Sequence, residues 1–206
     1  MNYYLFSVFL LSYLLLKKNK NKLSIEKQIE YNNFVDCRTC YNIKNYYNVI
    51  SNLIFIIGGL YHINSDILLC IFSILVCIGS SYYHYNPNMN TLLYDRLPML
   101  LSFVYLILQR IELNIYEQII ISIYALYSIV KWNITYDLLP YATIQLSLII
   151  YWFIFPSYNM QIPVILYFLA KICEDYDFEI YYLTNKTISG HTIKHIFAGF
   201  ALFYIS

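Results

Sequence analysis

Residues 79–99 read GSSYYHYNPNMNTLLYDRLPM. The stretch lies between two apolar runs and places Ser80, His84 and Asp95 where one membrane-spanning helix would end and the next begin. Ionisable side chains at membrane depth are costly and mark functional sites. What flanks this stretch, and which other polar residues share its side of an apolar layer, therefore sets both fold and function.

The flanks are apolar almost throughout. Hydrophobic residues make up 60% of the 206 and charged residues only 12%, with a mean hydropathy of +0.52. A soluble domain carries roughly 25% charged residues, and half that leaves too little polar surface for a water-soluble globule. The composition is that of an integral membrane protein. The formal net charge of +1 points to no partner by itself, and neither nucleic acid nor an obligatory protein partner is expected. Tyr is so frequent that it stands where Phe, Leu or Trp would stand elsewhere, so motifs are matched by chemistry. Of the cysteines, Cys70, Cys77 and Cys173 lie in apolar runs and read as small hydrophobes. Cys37 and Cys40 form a lone CxxC, short of the four ligands that a structural zinc knot needs.

Upstream, the apolar run 3–16 is followed by Lys17, Lys18, Lys20 and Lys22. A cleaved signal peptide carries its positive charges before the apolar run, so this reads as a short signal-anchor helix, with residues 1–22 forming one segment and 23–206 the main domain. Seven further apolar segments, at roughly 46–63, 67–84, 95–109, 115–132, 139–155, 160–176 and 190–205, are each long enough for a spanning helix of about 15–20 residues. A membrane barrel would instead alternate apolar and polar residues over about ten positions. The expected fold is all-α and polytopic: a seven-helix core with one additional N-terminal helix.

Short connections make neighbouring spans antiparallel. Alternation then gathers Asp36, Arg38, Asn48, Asn52, Ser80, His84, Asp95, Arg96, Asp137, Lys171, Glu174, Asp177, His191 and His195 on one side, and leaves the other nearly bare. Lys17, Lys18, Lys20, Lys22, Lys27, Arg38 and Lys44 make the polar side cytosolic by the positive-inside rule. The polar cavity expected there opens to the cytosol.

His191 and His195, four residues apart, project from one face of the last helix, and His84 enters the same level from another. Three neutral imidazoles with an open fourth position are the arrangement of a catalytic zinc. His62 falls on the opposite side and reads as interfacial. Ser80, four before His84, either hydrogen-bonds the site or is a small packing residue. Asp95 either caps the next helix or serves as the base for a metal-activated water. Asn48 and Asn52 share a face and read equally as interhelical hydrogen bonding or as substrate contacts. Lys171 and Glu174, three apart, read as an ion pair. Asn133 and Asn185 begin glycosylation sequons, which an Asn-rich chain also produces by chance.

Serine four before histidine, then LYDRLPM with its aspartate, then HTIKH near the C-terminus, resemble the alkaline ceramidase family, closest to its bacterial-type phytoceramidase-like branch. The wider superfamily of seven-helix membrane hydrolases includes the adiponectin-receptor-like proteins. FVDCRTCYNIKNYYNVISNL looks like the family's opening block, YDLLPYATIQ its middle block and LAKICEDYDFEIYYLTNKTISGHTIKH its closing block, so the likeness runs from about residue 34 onward. It implies zinc on His84, His191 and His195, Asp95 acting on water, and Ser80 assisting at the metal or the oxyanion; Asn48, Asn52 and Arg96 are the residues expected near the substrate. It also implies Ca²⁺ bound by acids ahead of the first core helix; here Asn45 stands where the leading glutamate would be, and Asp36 is the main acid left. Arg96 replaces a second acidic residue of the ceramidases. The implied activity is zinc-dependent hydrolysis of the amide of a ceramide-type membrane lipid. An adiponectin-receptor-like sensor, or a hydrolase of a glycerolipid, is the alternative.

Overall fold

The computed structural model describes residues 3–19, 24–30, 32–156 and 160–205. Lys20 and Lys22 of the Lys-rich segment lie outside the described residues, as do residues 157–159 of a connection assigned to the bare side. Apart from one isolated bridge between Cys40 and Ile43, the regular structure among the described residues is helical. In chain order the helices are α1 (Tyr3–Lys18), α2 (Ile25–Glu30), α3 (Tyr46–Ile50), α4 (Leu53–Tyr61), α5 (Ile67–Tyr85), α6 (Leu92–Arg110), α7 (Ile115–Thr135), α8 (Leu139–Ile154), α9 (Gln161–Asp175), α10 (Asp177–Leu183) and α11 (Gly190–Leu202).

Every apolar segment picked out in the sequence carries a helix. Among the described residues, α5 and α6 are long and apolar enough to cross a membrane, whereas the α3–α4 segment and α8 are apolar but shorter. The short helices α2 and α10 fall in stretches read as connections.

Helix α5 shows how these sequences pack. Leu68, Ile71, Leu75, Ile78 and Tyr82 recur at alternating spacings of three and four and are exposed. The opposite face is buried and carries Ser73, Gly79, Ser80 and His84. Helix α7 repeats the pattern, with Ile119, Ile123, Leu126, Val130 and Ile134 outside and Glu117 and Ser128 buried. The outer faces are large and apolar, where an amphipathic helix in water would be polar, and the buried faces mix these small or polar residues with Leu69, Val76, Tyr83, Ile121 and Trp132.

The segment expected to be one helix over 46–63 is interrupted at Ser51 and Asn52. In an unbroken helix the carbonyl of Asn48 would accept from the amide of Asn52. Instead it accepts from the side chains of Ser51 (3.1 Å) and Asn52 (2.9 Å), and the Asn52 amide turns to Val49. Local side-chain bonds of this kind compete with the helical ladder.

The chain divides into two compact units. The first comprises Met1–Tyr31 and Met99–Pro156. In it α1 buries Leu5, Val8 and Ser12 and packs on α8. Trp132 donates to the side chain of Gln28 (2.7 Å), which in turn donates to the carbonyl of Tyr136 (2.8 Å). An apolar cavity of about 290 Å³ lies among Leu5, Phe6, Phe9, Tyr13, Ile120, Ile121, Tyr124 and Thr143. Asp137 belongs to this unit and accepts from the amide of Leu139 at the start of α8.

The second unit comprises Asn32–Pro98 and Ser157–Ser206, with α11 packed on α9 and α4, and α4 on α5. His62, expected at an interface with water, is buried in this unit with its Nε2 2.6 Å from the carbonyl of Leu202. Its imidazole satisfies the end of α11, where helix carbonyls lack partners. All the remaining residues gathered on the polar side belong to this second unit.

Candidate metal centre

His84 stands at the end of α5, and His191 and His195 stand one turn apart on α11. All three are buried. Their ring centroids are 4.8–4.9 Å apart, and each offers a ligand atom within 4.8 Å of the others. The Nε2 atoms of His84 and His195 are 3.2 Å apart. Two nitrogens each about 2.0–2.1 Å from a tetrahedral zinc lie roughly 3.3 Å apart, so the spacing suits that ion. His84 Nδ1 is buried without a hydrogen-bond partner, so the outer bond that an imidazole ligating through Nε2 ordinarily makes is not among its contacts.

The helix interruption places Ser51 against this cluster. Ser51 Oγ donates its proton to the carbonyl of Asn48 and lies 2.7 Å from His195 Nδ1. When the hydroxyl proton goes to Asn48, Oγ accepts from Nδ1–H, and Nε2 of His195 then carries the lone pair that a metal ion would take. Fixing the tautomer in this way is what an outer hydrogen bond does for a metal-ligating histidine.

Two close approaches set the remaining geometry. A Cβ on Gly79 would run into the carbonyl oxygen of Tyr94. That carbonyl is the one to which Pro98, inside α6, has no N–H to donate. The contact lets α5 lie against the first turn of α6, and there the Ser80 hydroxyl hydrogen-bonds the Asp95 carboxylate. Asp95 is not needed as a cap: the first amides of α6, those of Leu92, Leu93 and Tyr94, donate to the carbonyls of Asn88, Asn90 and Thr91. Both Ser80 and Asp95 are buried.

Gly190 plays the same part for α11, since a Cβ there would meet the carbonyl of Cys173 and the Cα of Asp177. Ser189 caps this helix by accepting from Thr192 (3.1 Å), and Asp177 accepts from the amide of His191 (2.7 Å). A carboxylate at a helix N-terminus is favourably placed. Burial pushes the Asp177 carboxyl up from its ordinary value, against the pull of the His191 amide and the Ser189 hydroxyl.

The asparagines divide between roles. Asn48 Oδ1 accepts from Thr192 (3.0 Å) and ties α3 to α11, which is interhelical bonding. Asn52 donates to Asn48, while its Oδ1 is buried without a partner. Arg96 is buried, and its charge acts on Asp95. Lys171 pairs with Glu174 (2.5 Å) as expected, and Glu174 also holds Lys194 (2.6 Å).

Several residues that position the histidine cluster were not assigned to it from the sequence. Phe34 lies edge-on to His84 and His191, with centroids 4.7 and 5.0 Å away, and covers the cluster with an apolar ring. Asn45, in the left-handed region that asparagine tolerates, donates to the carbonyl of His84 (2.8 Å). Lys194 Nζ lies 3.5 Å from His191 Nε2. The i, i+3 spacing from His191 was the available signal for Lys194; Phe34 and Asn45 sit in a stretch with no periodicity.

The Ca²⁺ implied by the resemblance does not fit these residues. Both carboxylate oxygens of Asp36 are engaged by Arg38 at 2.8 and 2.7 Å, and the Asn45 amide is turned to His84. Arg38 also donates to the carbonyl of Thr187 (2.8 Å) and lies over the ring of Tyr47. The hydrogen bond to Asp36 raises the pKa of Arg38, with burial opposing.

Comparison with protein-family models, with curated proteins and with solved structures finds no match to this chain.

Proposed function

We propose that this chain is a multi-pass integral membrane hydrolase that uses zinc to cleave the acyl amide of ceramide- or phytoceramide-type lipids, akin to the alkaline ceramidases. The observation that carries the proposal is the convergence of His84, His191 and His195 in one buried cluster, with Ser80 one turn before His84 on α5 and hydrogen-bonded to Asp95 of α6. The apolar outer faces of the helices support the membrane reading. A continuous exposed stripe of Leu68, Ile71, Leu75, Ile78 and Tyr82 opposite a buried Ser80 and His84 suits lipid on the outside and chemistry within. On this reading the seven core helices all cross the bilayer.

Zinc held by the three histidines supplies a Lewis acid for the acyl carbonyl and lowers the pKa of water toward about 7. Asp95 takes the proton of the attacking water as its oxygen bonds to the carbonyl carbon. When the C–N bond breaks, the same carboxyl returns that proton to the leaving amine, giving a carboxylic acid and a sphingoid base; the acid then ionises to the carboxylate, its proton going to the amine or to water. Ser80 holds Asp95 in place through its hydrogen bond. Phe34 limits water at the cluster, which strengthens these electrostatic interactions. Asn52 Oδ1 and Arg96 are the polar groups assigned to the lipid head. An ester would be cleaved by the same steps.

The site opens to the cytosol on this reading, because the Lys-rich segment is on its side. Glycans on Asn133 or Asn185 in a eukaryotic membrane would reverse that orientation. The deciding assay incubates the purified, zinc-loaded chain with long-chain ceramides. Wild type releases fatty acid and His191→Ala does not; absence of release from every sphingolipid and glycerolipid tried would overturn the reading.

A further inference from the structure

Lys194 lies between the two histidines of α11 in sequence, and its side chain turns toward them in space. Nζ is 2.6 Å from Glu174 Oε1 and 3.5 Å from His191 Nε2, and the side chain is only 16% exposed. A purely structural partner for Glu174 already exists in Lys171, which also reaches Asp175 (3.3 Å). Glu174 therefore divides its charge between two ammonium groups, one of them against a metal-binding cluster. A divalent ion among the three histidines would face the Lys194 ammonium at close range, with half a carboxylate to offset it. An oxygen anion that touches both cations relieves this repulsion.

We infer that Lys194 is a ligand-binding residue whose ammonium donates a hydrogen bond to a carboxylate seated at the histidine cluster, so that the site binds long-chain carboxylates as well as releasing them. The inference rests on the proposed hydrolysis for the origin of the carboxylate, since water addition and C–N cleavage convert the neutral acyl carbonyl into that anion. Lys194 contacts the carbonyl oxygen as it gains charge and retains it in the product. Apart from turnover, it gives the chain affinity for free fatty acids over apolar chains of the same length that end in a hydroxyl.

The test is equilibrium binding of parinaric acid, a fluorescent polyene fatty acid, and of the corresponding alcohol, to the zinc-loaded full chain in detergent. Lys194→Met should weaken acid binding about ten- to hundredfold, the range for losing a hydrogen bond to a charged group, and leave alcohol binding unchanged. Lys194→Arg should retain acid binding within severalfold. Equal acid affinity in wild type and Lys194→Met would overturn the inference, and so would a parallel loss of acid and alcohol binding, which marks a structural role. If Lys194→Met does not fold, Glu174→Gln decides. Freed from its carboxylate, Lys194 should then bind the acid more tightly, and unchanged or weaker binding rejects the assignment. Lys194-dependent acid binding without hydrolysis of any lipid would leave this inference standing and remove the hydrolase reading.

Discussion

Gly79→Ala is the most exacting perturbation of this arrangement. In an unobstructed helix, replacing Gly by Ala adds about 1 kcal/mol of stability. At position 79 the new methyl would meet the carbonyl oxygen of Tyr94, a backbone atom with no rotamer to escape into. The helices α5 and α6 must separate instead, and overpacking of this kind costs about 1–3 kcal/mol. The net effect is a loss of roughly 0–2 kcal/mol where propensity alone forecasts a gain. The displacement reaches the site directly, because Ser80 follows the glycine and His84 lies one turn on, while His191 and His195 remain on α11. Zinc affinity should fall about 10–100-fold, as for a lost outer-shell support. Hydrolysis should fall by about 100-fold if Asp95 moves on the order of 1 Å. Thermal unfolding in detergent and zinc competition against a chromophoric chelator measure the first two effects. A variant that melts higher than wild type and binds zinc equally well would refute the close approach and the part it plays in placing Asp95.

Ser51→Ala removes the hydroxyl that is hydrogen-bonded to His195 Nδ1; zinc affinity should drop about 10–100-fold with one ion still bound at saturation, by the same chelator competition. Arg38→Met leaves the Asp36 carboxylate, 1% exposed, without its guanidinium. It should cost roughly 1–3 kcal/mol in thermal or denaturant unfolding, and adding Asp36→Asn should recover part of that loss.

What could be read from the sequence here is what one helix carries by itself. His191 with His195, and Ser80 with His84, are four apart, so helical periodicity alone aligns them. The apolar runs likewise located all the long helices, because runs of that length leave little else for the backbone to do. The residues that escaped notice reach the site from another element or from irregular backbone. Glu174 was paired with Lys171 because they are three apart, yet the lysine that it holds against the histidines is Lys194, twenty positions away on α11. Phe34 and Asn45 come from a segment whose turns, including positive φ at Tyr41 and Asn42, have no period from which to infer direction.

The break between α3 and α4 shows why spacing misleads where side chains compete with the backbone. Asn48 and Asn52 were placed on one helical face, which assumes the bond from the Asn52 amide to the Asn48 carbonyl. The side chains of Ser51 and Asn52 take that carbonyl instead, and the helix yields. The same substitution turns Ser51 toward His195 and leaves Asn52 Oδ1 buried without a partner. A buried carbonyl oxygen left unpaired costs about 1–3 kcal/mol, a cost that a donor on the lipid head group would remove. The irregularity that hid this part of the site from a periodic reading is thus what sets Ser51 against a histidine of the cluster and leaves an unpaired acceptor within the same turn.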